Sequence, residues 1–276
     1  MLAFIHIAKT GGRSIETMLA GSFGAGFVHA EPWRNRDNDG RLGQPFVVPK
    51  YEMDDFRRLK RLCPWMRCVG GHAVTLWSGV HEIQPTRFFA FVRDPIRRGA
   101  SHFQFQMQTE PKPKTWDEWI AWDVPRNHQL KMFSRHVNAD EAIAAIEQHD
   151  VFIGQTERFD ESLVMLKQLV APELCIAYSR TNTARSDTVA KEILADPVRC
   201  GQLADMHREE TRLYRYLLDV VYPRQEQAFD GDPTEHAIAF AADRDAGLNQ
   251  ANLRAEARQR KYWLGPWGRI GRKLSR

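Results

Sequence analysis

The sequence predicts an α/β fold: a P-loop-like three-layer sandwich with a central parallel sheet flanked by helices, plus a helical C-terminal extension. Three observations carry this. Apolar runs of strand length recur at Ala3–Ile7, Arg87–Val92 and Val151–Gly154, and each leads through a turn into a segment with helical periodicity. The runs are nearly continuous rather than alternating, as in strands buried on both faces. Strands that alternate with helices in this way build parallel sheets by right-handed crossovers.

Ala3–Ile7, interrupted only by His6, reads as the first strand, and Lys9-Thr10-Gly11-Gly12 is the turn that ends it. Ile15, Met18 and Leu19 then mark one face of a helix that includes Ser14. Residues 21–50 are rich in Gly, Pro, Asn and Asp and read as loops, with a short strand at Phe46-Val47-Val48. Tyr51–Arg61 reads as a helix opened by Asp54 and Asp55, and Cys68-Val69 as a strand ending in Gly70-Gly71-His72. Arg87–Val92 is the clearest strand. It ends at Arg93-Asp94-Pro95, where Pro95 starts a helix running to about Met107, since the first turn has no use for its missing N–H. Further helices are expected at Thr115–Trp122, Asn127–His136, Ala139–His149, Thr156–Val170, Asp187–Leu194 and Pro197–Leu218, with a last strand at Cys175–Tyr178.

Composition narrows the classes. The chain has 276 residues, 43% hydrophobic and 27% charged, an ordinary globular balance that excludes disordered and fibrous chains. Net charge is +4, yet residues 251–276 hold eight Arg or Lys and one Glu, leaving the first 250 residues at net −3. A net acidic body without a nucleic-acid motif argues against DNA or RNA as partner. No stretch approaches the ~20 apolar residues that span a bilayer, and the first residues read as a core strand rather than a signal peptide. Cys63, Cys68, Cys175 and Cys200 form no CxxC pair and are expected as free thiols in a reducing cytoplasm. Cys63, Cys68 and His72 offer three zinc ligands at most, with Pro64 between them, and no metal site is expected.

The chemistry is expected at the carboxyl ends of the strands, where parallel sheets bind ligands. Three loops lie there: Ala8–Arg13, Gly70–Val74 and Arg93–Arg98. The first is an anion cradle: glycines let successive N–H groups converge, the helix N-terminus adds partial positive charge, and Lys9 adds a full one. Thr10 and Ser14 bring hydroxyl donors. It is not a Walker A loop, because its glycines follow the lysine instead of preceding it, and the strand Phe88–Val92 ends in Arg93 where a metal-binding Asp would be needed. Arg93 and Ser101, two turns into the next helix, can reach one phosphate together. The alternative for that pair is a surface ion pair of Arg93 with Asp94 and a solvent-facing serine.

Phe4-Ile5-His6-Ile7-Ala8-Lys9-Thr10-Gly11-Gly12-Arg13-Ser14-Ile15 resembles the 5′-phosphosulfate loop of sulfotransferases that use 3′-phosphoadenosine 5′-phosphosulfate (PAPS). Phe91-Val92-Arg93-Asp94-Pro95-Ile96-Arg97-Arg98-Gly99-Ala100-Ser101-His102 resembles their 3′-phosphate motif, and Gly71-His72-Ala73-Val74-Thr75 a segment of the carbohydrate branch that includes the heparan sulfate and uronyl 2-O-sulfotransferases. Weaker similarity runs through Asn127–Met132 and Phe152–Phe159 and ends near Asp219. The resemblance implies sulfuryl transfer from PAPS to a hydroxyl of a carbohydrate or glycan-type acceptor, with PAP (adenosine 3′,5′-bisphosphate) as product and no metal. It implies His72 as general base and Lys9 on the leaving phosphate. Thr10, Gly11, Gly12, Arg13 and Ser14 would hold the 5′-phosphate, Arg93 and Ser101 the 3′-phosphate, and Arg180 and Thr181 would belong to a closing loop, with Arg185 beside them. Residues 1–222 would then form the sulfotransferase domain and 223–276 an extension. The expected location is cytoplasmic.

Other residues keep plainer readings. His6 reads as a packed core residue, and His102 and His128 receive no role. The tail sets Arg and Lys among Tyr262, Trp263, Leu264, Trp267 and Ile270, which suits peripheral contact with anionic lipid, an acidic polysaccharide, or docking on its own body. Two rival functions are a P-loop-type nucleotide kinase and a non-catalytic anion- or glycan-binding module. The oligomeric state is not legible.

Overall fold

A computed structural model of the chain describes residues 1–30, 50–178 and 187–241. Five strands, β1 (Leu2–Ile5), β2 (Phe27–His29), β3 (Cys68–Gly71), β4 (Arg87–Val92) and β5 (Phe152–Gln155), form one sheet in the order β2-β3-β1-β4-β5. Every pairing is parallel, with Ile5 opposite Gly71 on one side and Ala90 on the other. The expected α/β sandwich with a central parallel sheet is therefore present. Alternation along the strands divides the core in two, since successive side chains leave opposite faces. Ala3, Ile5, Val69, Phe88, Ala90, Val92 and Ile153 pack on one face. Leu2, Phe4, Cys68, Phe89, Phe91 and Phe152 pack on the other.

The helices are α1 (Gly12–Phe23), α2 (Met53–Leu62), α3 (Pro95–Thr109), α4 (Trp116–Ala121), α5 (Leu130–Phe133), α6 (Ala139–Gln148), α7 (Phe159–Leu169), α8 (Thr188–Ala195), α9 (Pro197–Met206), α10 (Arg208–Tyr216) and α11 (Tyr222–Ala228). Ile15, Met18 and Leu19 of α1 and Leu163 to Leu166 of α7 bury against the second face, whereas α2, α5, α6 and α10 close the first. Ala100 and Phe103 of α3 meet Trp119, Ile193, Leu203 and Met206 in a separate small core. Local sequence sets the helix starts: Asp94 accepts from the Arg97 amide ahead of Pro95, and Thr115 forms a capping box with Glu118.

Three differences from the sequence reading have causes in contacts remote in sequence. Phe27–His29 is a strand although its neighbourhood looked like loop, because it pairs with Cys68–Gly70 at the sheet edge. Cys175–Tyr178 is not a strand: the Cys175 amide donates to Ser22 and the Tyr178 hydroxyl to Asp160, so side chains anchor this segment. The long helix expected over Pro197–Leu218 breaks at His207, a fully buried residue whose ring accepts from the Asn127 amide. The expected strand at 46–48 and the tail at 251–276 lie outside the described residues. No helix among the described residues is long and apolar enough to cross a membrane.

Candidate active site

The strand order places β1 between β3 and β4, so the loops carrying Lys9, His72 and Arg93 emerge side by side at the carboxyl edge of the sheet. Neighbouring strands lie about 4.8 Å apart, which brings the three loops within the span of one small ligand. Both flanking loops hold the middle one. The His72 Nδ1 donates to the His6 carbonyl at 2.9 Å, and Arg93 Nη1 lies 3.4 Å from the Lys9 carbonyl.

The loop after β1 has the backbone of an anion cradle. Lys9 (φ 72°) and Gly11 (φ 81°) both adopt left-handed conformations, and α1 begins at Gly12 with Gly11 as its N-cap. The first-turn amides of Gly12 and Arg13 have no carbonyl one turn back to bond. The Ser14 amide turns back to Gly11 at 3.1 Å, and the buried Thr10 hydroxyl donates to the Ile7 carbonyl at 2.9 Å, so Thr10 braces the loop from within. Gly12 is demanded by space: a Cβ there would lie 2.0 Å from Nε2 of His6. Lys9 extends over the Phe105 ring, its ammonium 4.4 Å from the centroid, and burial and then the Arg93 charge lower its pKa to about 8.

His72 follows Gly70 and Gly71 at the end of β3. Gly71 (φ 144°) lets the chain pass the Ala30 carbonyl, which a Cβ would approach to 2.5 Å. The His72 ring stacks on His6 with centroids 3.9 Å apart. Burial first, and the His6 ring next, hold its pKa down to about 3, so it is a neutral imidazole. Its Nδ1 faces an oxygen that can only accept, which fixes the proton there and leaves a lone pair on Nε2. His6 in turn donates through Nδ1 to Glu16 at 2.7 Å, and His29 donates to the same oxygen at 2.8 Å. Burial alone would raise the Glu16 pKa, but the bonds from His29 and His6 hold it well below the usual carboxylate range.

Arg93 sits just past β4. Its Nε is 4.0 Å from Glu157, a carboxylate that also accepts from the Asp94 amide at 3.2 Å. Asp94 itself caps α3. Ser101 lies two turns into α3, part-exposed, whereas the next residue, His102, is buried. Arg13 is exposed at the start of α1. Arg180, Thr181 and Arg185 lie outside the described residues. Among the described residues, no group of three or more His, Cys, Asp or Glu side chains is arranged to hold a metal ion.

Sequence reasoning missed three groups near these loops. Lys50 donates to the His72 carbonyl at 2.7 Å; it stands beside a featureless loop and carried no pattern. His6 was visible as an interruption of an apolar strand, but its stack on His72 needed the register of β1 against β3. Gln129 bonds the Arg93 backbone from 36 residues away, a pairing without local signature.

No family model and no curated protein matches the chain. Among solved structures it is similar to mouse sulfotransferase SULT7A1 complexed with PAP, at 14% identity and a TM-score of 0.38, covering 83% of this chain and 81% of that one. It is also similar to a sulfotransferase from Alicyclobacillus acidocaldarius, at 13% identity and a TM-score of 0.38, covering 78% of this chain and 98% of that one.

Proposed function

We propose that the chain is a PAPS-dependent sulfotransferase that sulfates a hydroxyl of a carbohydrate or glycan-type acceptor in the cytoplasm. The observation that carries this reading is the convergence of a cradle lysine, a neutral histidine whose lone pair lies on Nε2 and a strand-end arginine on three adjacent loops. The donor set suits a doubly phosphorylated nucleotide. The amides of Gly11, Gly12 and Arg13, with Ser14 behind them, would take the 5′-phosphate. Arg93 and Ser101 would take the 3′-phosphate, and Arg180 and Thr181 are proposed to close over it.

PAPS supplies a sulfuryl group on a phosphate leaving group. His72 Nε2 accepts the proton of the acceptor hydroxyl while its oxygen bonds to sulfur, and Lys9 neutralises the charge that grows on the departing phosphate oxygen. The bond from sulfur to that oxygen breaks, giving the sulfate ester, PAP and a protonated His72. A kinase reading lacks a carboxylate at the end of β4, where Arg93 stands. A binding module would have no use for the fixed tautomer of His72.

Residues 1–222 are proposed as the sulfotransferase domain, and the basic aromatic segment beyond it as a contact for the body, a membrane surface or the acceptor. Calorimetry with PAP against ATP and AMP tests the nucleotide, and a labelled-sulfate screen tests the acceptor. Tight binding of PAP alone is expected. Equal affinity for ATP would overturn the reading.

A further inference from the structure

Arg93 is held by a buried network that the proposed reaction does not itself use. The side-chain amide of Gln129 pairs with both backbone polar groups of Arg93: Oε1 accepts from its N–H at 2.9 Å, and Nε2 donates to its carbonyl at 2.8 Å. A primary amide here does what a neighbouring strand would do, one residue beyond the end of β4. Gln129 is 2% exposed and is itself fixed by Glu210, which accepts from its backbone amide at 3.0 Å and from Nε2 at 2.8 Å. Glu210, 1% exposed, also pairs with the fully buried Arg98 at 3.0 Å, and its amide donates to Asn127 at 3.2 Å.

A buried ion pair gives little net stability against an apolar substitute, and part of Arg98 is still unsatisfied, because Nη1 has no partner among the described residues. Retaining such a pair makes sense where geometry matters more than stability. We infer that Gln129, oriented by Glu210, is a positioning residue that sets the backbone of Arg93 and so selects nucleotides bearing a 3′-phosphate. This rests on the proposed role of Arg93 as the 3′-phosphate ligand. Both side chains are buried, and in this inference they act through the Arg93 peptide.

The test compares binding of PAP and of AMP, which lacks the 3′-phosphate, to wild type, Arg93→Ala, Gln129→Met, Glu210→Gln and the double variant Arg93→Ala/Gln129→Met. Wild type should prefer PAP. Gln129→Met should reduce that preference about tenfold, the scale of one charge-assisted hydrogen bond, with AMP affinity unchanged. Glu210→Gln should shift it in the same direction, and the double variant should resemble Arg93→Ala. A preference lost in Arg93→Ala but kept in Gln129→Met would overturn the inference and leave the functional reading intact. Equal losses for PAP and AMP, or failure of both network variants to fold where Arg93→Ala folds, would make the network purely structural. A wild type without PAP preference would overturn the functional reading and this inference with it.

Discussion

The His72 Nδ1 lies 2.9 Å from the His6 carbonyl while the two rings stack with centroids 3.9 Å apart. One contact fixes the tautomer and the other fixes the plane, so Nε2 is the only basic atom His72 can offer. If that atom takes the acceptor proton, His72→Ala should lower kcat by ~10²–10⁴-fold, the usual share of general base catalysis. The dissociation constant for PAP should change little, because the cradle is built from the loop after β1. Single-turnover rates and calorimetry on the same preparation separate the two. Weakened PAP binding with normal turnover would remove His72 from the chemistry.

Lys9 sets a second limit. Its pKa is lowered to about 8, by burial first and the Arg93 charge next, so the free protein loses this cation at mildly alkaline pH. The pH profile of kcat/KM reports free-enzyme groups. It should fall above about pH 8, whereas His72, with a pKa near 3, should impose no decline between pH 7 and 5. Lys9→Arg should move the alkaline limb upward, since a guanidinium does not titrate there. An alkaline limb that stays in place in Lys9→Arg would assign it to another group.

Much of this arrangement was legible in the sequence because it is local. The bounds Arg87–Val92, the helix start at Pro95 and the turn after β1 follow from patterns within a few residues. The sequence showed that Lys9, His72 and Arg93 each end a strand, but the order β3-β1-β4 that makes them neighbours depends on pairings across more than sixty residues. Remoteness also hid Gln129 and Glu210, since Gln129 lies 36 residues from Arg93 and 81 from Glu210, and their polar side chains look like ordinary helix residues until their burial is known. His207 misled for a related reason: nothing in its neighbours marks a break, which comes from a contact with Asn127.

Gly12 illustrates a constraint felt through packing. A methyl group there would meet Nε2 of His6 at 2.0 Å, and His6 cannot retreat freely because Glu16 holds its Nδ1 and His72 covers its face. Gly12→Ala should therefore cost ~1–3 kcal/mol, as overpacking does, and should reduce turnover as well by displacing the ring that supports His72. Gly201→Ala is the control: a Cβ at that position in α9 meets nothing within 4 Å, and helix propensity predicts a gain of up to ~1 kcal/mol. Chemical denaturation of both variants reads the difference. Unchanged stability in Gly12→Ala would mean that His6 has room to move.

Acid stability should report the buried histidines. Burial, then the charges of Arg98 and Lys9, lower the pKa of His102 to about 3 from its ordinary 6.5. A depressed value in the folded state means that the unfolded chain binds this proton first. The stabilising contribution is whole above about pH 6.5 and is lost as pH falls toward 3, with a limiting slope of about 1.4 kcal/mol per pH unit for one proton. His72 and His207, at about 3 and about 4, act in the same direction, as does the lowered carboxyl of Glu210. His102→Gln should flatten the loss of unfolding free energy between pH 6 and 4 by up to one proton, whatever its effect at pH 7. Urea unfolding at half-unit pH steps measures that slope. An unaltered slope would show that His102 is already protonated in the folded chain.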